Sequence, residues 1–248
     1  MASESLNLTA PALFGLQTAN TRKVAIVTGG GTGIGKMITA ALAQNGAKVY
    51  IASRKLKVVQ DAAAEINAMP NTIASKGEVI ALQADLVDKE KCVAFVNQIK
   101  AKEQKLHILV NNAGISWGSD LLDFDEKNGW DKLMAVNVPG RVINISSIAS
   151  YIPGSADPGG SGTYSYNASK AAVNHLTRIL AASFAERKVT VNCIAPGFYP
   201  SRMTQHGLAA LGDAAAIGHP MGRIGSTEDM AGLALFLSSR ASAHITVK

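Results

Sequence analysis

The sequence of 248 residues predicts an α/β domain with a doubly wound parallel sheet, three layers deep. Three observations predict it. Short β-branched runs alternate with longer helical patterns through most of the chain. Those runs are almost continuously apolar, as strands covered by helices on both faces must be. The first of them leads straight into a glycine-rich turn that opens a helix. No repeat, low-complexity tract or linker divides the chain. One domain is therefore expected over residues 22–248, preceded by an N-terminal arm, 1–21, whose Leu13 and Phe14 dock on the body.

In chain order the expected strands are KVAIVTG, AKVYIAS, EVIALQAD, HILVNNAG, RVINISS and VTVNCIAPG. Between and after them lie helical patterns: GKMITAALAQNG, VVQDAAAEINAM, KEKCVAFVNQIKAKE and SKAAVNHLTRILAASFAE. Right-handed crossovers then place ligands at the carboxyl ends of the strands. The Gly/Pro/Ser-rich stretch YIPGSADPGGSGT, 151–163, reads as a surface loop.

Composition narrows the class further. No apolar run is long enough to span a bilayer. The first residues lack the basic and apolar regions of a secretory leader, so a cytoplasmic protein is expected. Cys92 and Cys193 lie in apolar segments and are expected as buried, reduced thiols. The net charge of +6 comes from scattered residues, without a basic run or zinc-ligand spacing. Neither nucleic acid nor a metal is expected, while a mildly basic surface suits an anionic cofactor or acyl-carrier substrate.

The turn TGGGTGIGKM, 28–37, admits two readings. Gly30 to Lys36 fits the spacing of a P-loop, but Met37 stands where a magnesium-binding hydroxyl is needed. The pattern T-G-x-x-x-G-x-G, with Thr28, Gly29, Gly33 and Gly35, instead sets a helix N-terminus beneath a pyrophosphate. The second strand ends in Ser53, Arg54 and Lys55. An acid there would bind a ribose 2′-hydroxyl, whereas a guanidinium suits a 2′-phosphate, so NADP(H) is expected.

Tyr166 and Lys170 are four residues apart at the opening of a helical pattern and share one helix face. A free phenol, with a pKa near 10, is a poor acid at neutral pH. A neighbouring ammonium stabilises the phenolate and makes such a phenol useful for proton transfer.

Taken together, these motifs resemble the short-chain dehydrogenase/reductase superfamily, from about residue 22 to about residue 246. The matching features come in order: TGGGTGIG, Asp85-Leu86, NNAG (111–114), Asn137 in AVNV, Ser147 in NISSIAS, Tyr166 with Lys170, and Pro196-Gly197. The resemblance implies a Rossmann fold and a set of roles. Tyr166 would protonate the carbonyl oxygen as hydride arrives, and Ser147 would hydrogen-bond that oxygen. Lys170 would also hold the nicotinamide ribose, and Asn137 would anchor a relay water. Gly29, Thr32, Gly33, Ile34 and Gly35 would cradle the cofactor, with Ser53 and Arg54 at its phosphate and Asp85-Leu86 at its adenine. Asn112, Ala113 and Gly114 would pass beneath it, with Pro196-Gly197 nearby. Ser146 and Tyr164 are the alternatives to Ser147 and Tyr166. The segments NNAGISWG, APGFYPSRMT and PMGRIGSTEDMAGLALFLSS are most similar to the rhamnolipid-biosynthesis type of 3-oxoacyl-[acyl-carrier-protein] reductase and its fungal relatives. That likeness implies a substrate flap at 198–225, with Arg202 near a substrate phosphate. Trp117, Phe198 and Tyr199 would either line an acyl pocket or pack in the core, and His206 has no assigned role.

Two departures stand out. Asn137-Val138-Pro139-Gly140 runs straight into Arg141, where the family has a long helix that also builds the dimer interface. Crossing a strand takes about 17–20 Å, while four Cα steps reach at most roughly 14 Å. Either Asn137 is displaced, the strand begins higher and is shorter, or residues are missing. The chain also ends at Lys248, where the family continues into a last strand. The expectation is an NADPH-dependent ketone reductase, with a 3-oxoacyl thioester as substrate and the family's homo-oligomer put in question. A catalytically impaired NADP-binding protein, or a reductase or dehydrogenase for another ketone or alcohol, is the alternative.

Overall fold

The computed structural model describes residues 15–16, 22–86, 89–113, 140–151, 164–201, 204 and 220–247. Six strands form one sheet: β1 (Val24–Thr28), β2 (Lys48–Ser53), β3 (Glu78–Gln83), β4 (Ile108–Asn111), β5 (Arg141–Ile145) and β6 (Thr190–Ile194). Their order is β3-β2-β1-β4-β5-β6, and every pair is parallel. The order reverses between β1 and β4, so the carboxyl edge there opens a crevice of the kind that holds ligands in doubly wound sheets. Each expected strand is present, its ends trimmed by the turn residues that follow it.

Among the described residues six α-helices accompany the strands: α1 (Gly33–Gln44), α2 (Leu56–Asn67), α3 (Pro70–Ala74), α4 (Lys89–Lys100), α5 (Tyr164–Phe184) and α6 (Thr227–Ser238). Alternate strand residues supply two faces. Ala25, Val27, Val49, Ile51, Val110 and Ile143 join Ile38 and Leu42 of α1, Val59 and Ile66 of α2, and Met230 and Ala234 of α6. On the opposite face Ile26, Tyr50 and Leu109 meet Phe95, Val96 and Ile99 of α4. There too Val142 and Val191 meet Leu180 and Ala181 of α5. The result is three layers, and every residue of β1 is buried. Leu16, from the N-terminal arm, is only 1% exposed and joins the first face; Leu13 and Phe14 lie outside the described residues.

The short approach to β5 has a definite register. Arg141 pairs with Ile108, the first residue of β4, and with Thr190, the first of β6. Arg141 N–H also donates to His107 O at 2.9 Å. The strand therefore does not begin higher; it starts at the amino edge of the sheet. After β6, Val247 N–H donates to Val191 O at 3.1 Å and Asn192 Nδ2 donates to Ile245 O at 2.9 Å. The chain thus runs alongside β6 without forming a seventh strand among the described residues. No helix among the described residues is long and apolar enough to cross a membrane. Cys92 is buried, Cys193 half-buried, and both are free thiols.

Candidate functional site

Apart from Tyr166 and Lys170, which lie on α5, every expected site segment that the structure describes follows the carboxyl end of a strand. The glycine turn follows β1, Ser53 and Arg54 close β2, and Asp85-Leu86 follows β3. Asn112-Ala113 follows β4, Ser146-Ser147 follows β5, and Pro196-Gly197 follows β6. Gly114, Trp117, Asn137, Arg202 and His206 lie outside the described residues.

The turn between β1 and α1 is built on glycine backbone. Gly29 and Gly33 have φ of +66° and +53°, a region side chains disfavour. A Cβ at Gly35 would run into Gly29 O and Asn112 Nδ2. Thr28 fastens this turn to β4: its Oγ1 accepts from Asn112 N at 3.0 Å and Ala113 N at 2.9 Å. Asn112 Nδ2 donates back to Thr28 O at 2.9 Å. Thr32 occupies the N-cap of α1 with extended backbone and no side-chain capping bond. The N–H groups of Gly33, Ile34 and Gly35 therefore meet no protein acceptor among the described residues. Orphan donors at the positive end of a helix fit an anionic pyrophosphate. Ser201, which the sequence placed in the expected flap 198–225 without a role of its own, approaches this turn: a Cβ at Gly33 would lie 3.1 Å from Ser201 Cβ.

At the end of β2, Ser53 Oγ accepts from Lys55 N at 3.3 Å, and Arg54 O accepts from Gln83 Nε2 at 3.1 Å. The Arg54 side chain is exposed, and no carboxylate pairs with it among the described residues. Arg54 is thus available to a 2′-phosphate. Asp85 is engaged differently, its Oδ2 lying 3.1 Å from Lys91 Nζ.

The structure separates the two candidate serines. Ser146 is 3% exposed, and its Oγ donates to Lys170 O at 2.9 Å, which commits it to holding α5. Ser147 is half-buried, and among the described residues its Oγ accepts only the Ala149 N–H, at 3.1 Å, leaving its own proton to donate. The tyrosines separate likewise: Tyr164 is 57% exposed, whereas Tyr166 is half-buried on the side of Lys170. Lys170 Nζ lies 5.6 Å from the Tyr166 ring centroid and donates to Ile145 O at 2.9 Å. Burial pushes the Lys170 ammonium below the usual lysine range, with the nearby Cys193 opposing it. Tyr199 packs on the first core face, and its ring fills the space a Cβ of Gly225 would need. Core packing is therefore its observed role.

The Tyr166 phenol, the Ser147 hydroxyl and Lys170 thus lie where α5 meets the end of β5, on the same carboxyl edge of the sheet as the helix N-terminus suited to phosphate. Residues 29–248 match the family described as enoyl-(acyl carrier protein) reductase. The chain is 36% identical to the rhamnolipids biosynthesis 3-oxoacyl-[acyl-carrier-protein] reductase of Pseudomonas aeruginosa, with 90% of this chain and 92% of that protein covered. It is 34% identical to the short-chain dehydrogenase/reductase PhomF' of Diaporthe leptostromiformis, with 91% and 88% covered. Among solved structures, the Pseudomonas aeruginosa RhlG/NADP active-site complex is similar with a TM-score of 0.75 and 35% identity, with 96% of this chain and 95% of that chain covered.

Proposed function

As the chain belongs to the short-chain dehydrogenase/reductase superfamily, we propose that it is an NADPH-dependent ketone reductase, with a 3-oxoacyl thioester as substrate. The observation that carries this reading is the docking of the Tyr166/Lys170 face of α5 on the end of β5. Two hydrogen bonds made by Lys170, to Ile145 O and from Ser146 Oγ, hold the pair against the segment that presents Ser147.

In this reading the backbone donors of Gly33 to Gly35 hold the pyrophosphate and Arg54 holds the 2′-phosphate. Asp85-Leu86, Asn112-Ala113 and Pro196-Gly197 border the rest. When bound, NADPH supplies the hydride that reduces the carbonyl carbon. Ser147 donates a hydrogen bond to the carbonyl oxygen and stabilises the negative charge that grows there. Tyr166 gives that oxygen its phenolic proton, completing the hydroxyl group. Lys170 stabilises the phenolate left behind until solvent returns a proton. The 3-oxoacyl preference draws on the likeness to the Pseudomonas aeruginosa reductase.

The test is cofactor consumption by the purified chain with a 3-oxobutanoyl thioester, with a simple ketone, and with NADH in place of NADPH. The reading expects turnover with NADPH, faster on the thioester and at least about tenfold slower with NADH. Tight NADPH binding without turnover on any carbonyl would instead make the chain a nucleotide-binding protein only.

A further inference from the structure

Ser147 is presented by a single 3-10 turn, Ile148–Ser150, and that turn is not held by the sheet alone. Ile148 N–H donates to Pro196 O at 3.0 Å, which fixes one side of it. The other side is fixed from α5. Asn174 is 8% exposed, and its Nδ2 donates to Ser150 Oγ at 2.7 Å. The Ser150 hydroxyl has one proton, and it goes to Ser147 O at 2.6 Å. On the far side the Cys193 thiol donates to Asn174 Oδ1 at 3.4 Å. Donors and acceptors therefore run in one direction, Cys193 to Asn174 to Ser150 to the backbone of Ser147, with each polar group in the chain used. Lys170 lies one helical turn and Tyr166 two turns before Asn174 on the same rigid helix.

We propose that Asn174 and Ser150 are positioning residues. Together they latch the turn carrying Ser147 to the helix carrying Tyr166, and so set the separation between the two groups that meet the carbonyl oxygen. The inference rests on the roles proposed above for Ser147 and Tyr166. It assigns no contact with substrate or cofactor to either latch residue. An error of about 1 Å in such an arrangement can cost roughly a hundredfold in rate. The latch lies away from the glycine turn, so the cost should fall on turnover rather than on cofactor binding.

Ser150→Ala, Asn174→Leu and the double variant test this, with two readouts. The first needs no turnover: amide hydrogen exchange of residues 149–151 should quicken at least about tenfold in each variant, while the amides of β5 keep their protection. In the second, kcat should fall about ten- to a hundredfold with KM for NADPH held within about twofold. The double variant should be no worse than the poorer single one, because both changes cut the same chain. Unchanged exchange at 149–151 in the folded variants would overturn the latch. So would faster exchange with kcat kept within about twofold. If the parent protein reduces no carbonyl, the proposed function fails by itself, and the exchange measurement still decides whether the turn is latched.

Discussion

Gly35→Ala is a change whose cost can be worked from the structure and read in both stability and cofactor binding. Gly35 is buried in the first turn of α1, and its missing side chain is the space into which Gly29 O and Asn112 Nδ2 project. Regaining ordinary contact requires roughly 1 Å of movement by the helix start or by Asn112. Moving Asn112 loosens two hydrogen bonds, to Thr28 O at 2.9 Å and Gly29 O at 3.3 Å, worth about 1 kcal/mol each. Overpacking against backbone adds about 1–3 kcal/mol. Alanine's better helix propensity returns about 1 kcal/mol. The net expectation is about 2–4 kcal/mol of destabilisation, or roughly 5–15 °C in Tm for a chain of this size. Displacing the orphan donors of α1 should also weaken NADPH binding at least about tenfold. Thermal unfolding and a fluorescence titration with NADPH measure both effects. Gly232→Ala is the control, since a Cβ there meets nothing within 4 Å. It should raise stability by up to about 1 kcal/mol and leave binding alone. If Gly35→Ala matched the parent in both Tm and affinity, the close approach of α1 to the end of β1 would be refuted.

Other expectations are open to equally direct checks. Arg54→Ala should weaken NADPH binding at least about tenfold and leave NADH binding unchanged, because only the former carries the 2′-phosphate; titrations with both nucleotides decide it. At the other end of the sheet, Tyr50 O–H donates to Glu103 Oε1 at 2.6 Å, and Lys48 Nζ lies 2.6 Å from the same oxygen. Tyr50→Phe should cost about 1.5–3 kcal/mol in a denaturant titration. Burial, then the bond to Glu103, pushes the Tyr50 phenol up to about 12. The unfolded chain gives up that proton near pH 10, so stability should fall as pH rises from about 10 to about 12. Tyr50→Phe should flatten that alkaline limb, leaving the loss contributed by Lys48, whose raised pKa acts in the same direction.

How far the sequence reveals this molecule differs from element to element. The six strands were legible because all but the edge strand β3 are buried along most of their length, which writes a short, nearly unbroken apolar run. Helix α6 was not, because GLALFL is apolar around most of the helix and gives no clean stripe; its start was signalled by Ser226 and Asp229, which form a capping box. The five-residue α3 is too short for periodicity to register. At the site, Gly35, Arg54, Tyr166 and Lys170 announced themselves through local spacing. The resemblance already preferred Ser147 to Ser146, but the physical reason, that Ser146 Oγ donates to Lys170 O, needed the register of α5 on β5. Ser201 against Gly33 and Asn174 on Ser150 pair segments far apart in sequence, and no local pattern encodes either contact. The start of β5 at Arg141 likewise follows from pairing with β4 and β6 rather than from the residues before it.

If the Tyr166 hydroxyl supplies the proton, Tyr166→Phe removes that proton while keeping the ring. The decisive measurement is kcat for NADPH-dependent reduction of a 3-oxoacyl thioester, parent against Tyr166→Phe, with NADPH affinity measured on the same samples. Loss of the proton donor should lower kcat about 10²–10⁴-fold with affinity little changed; equal rates for the two proteins would mean that Tyr166 is not the donor.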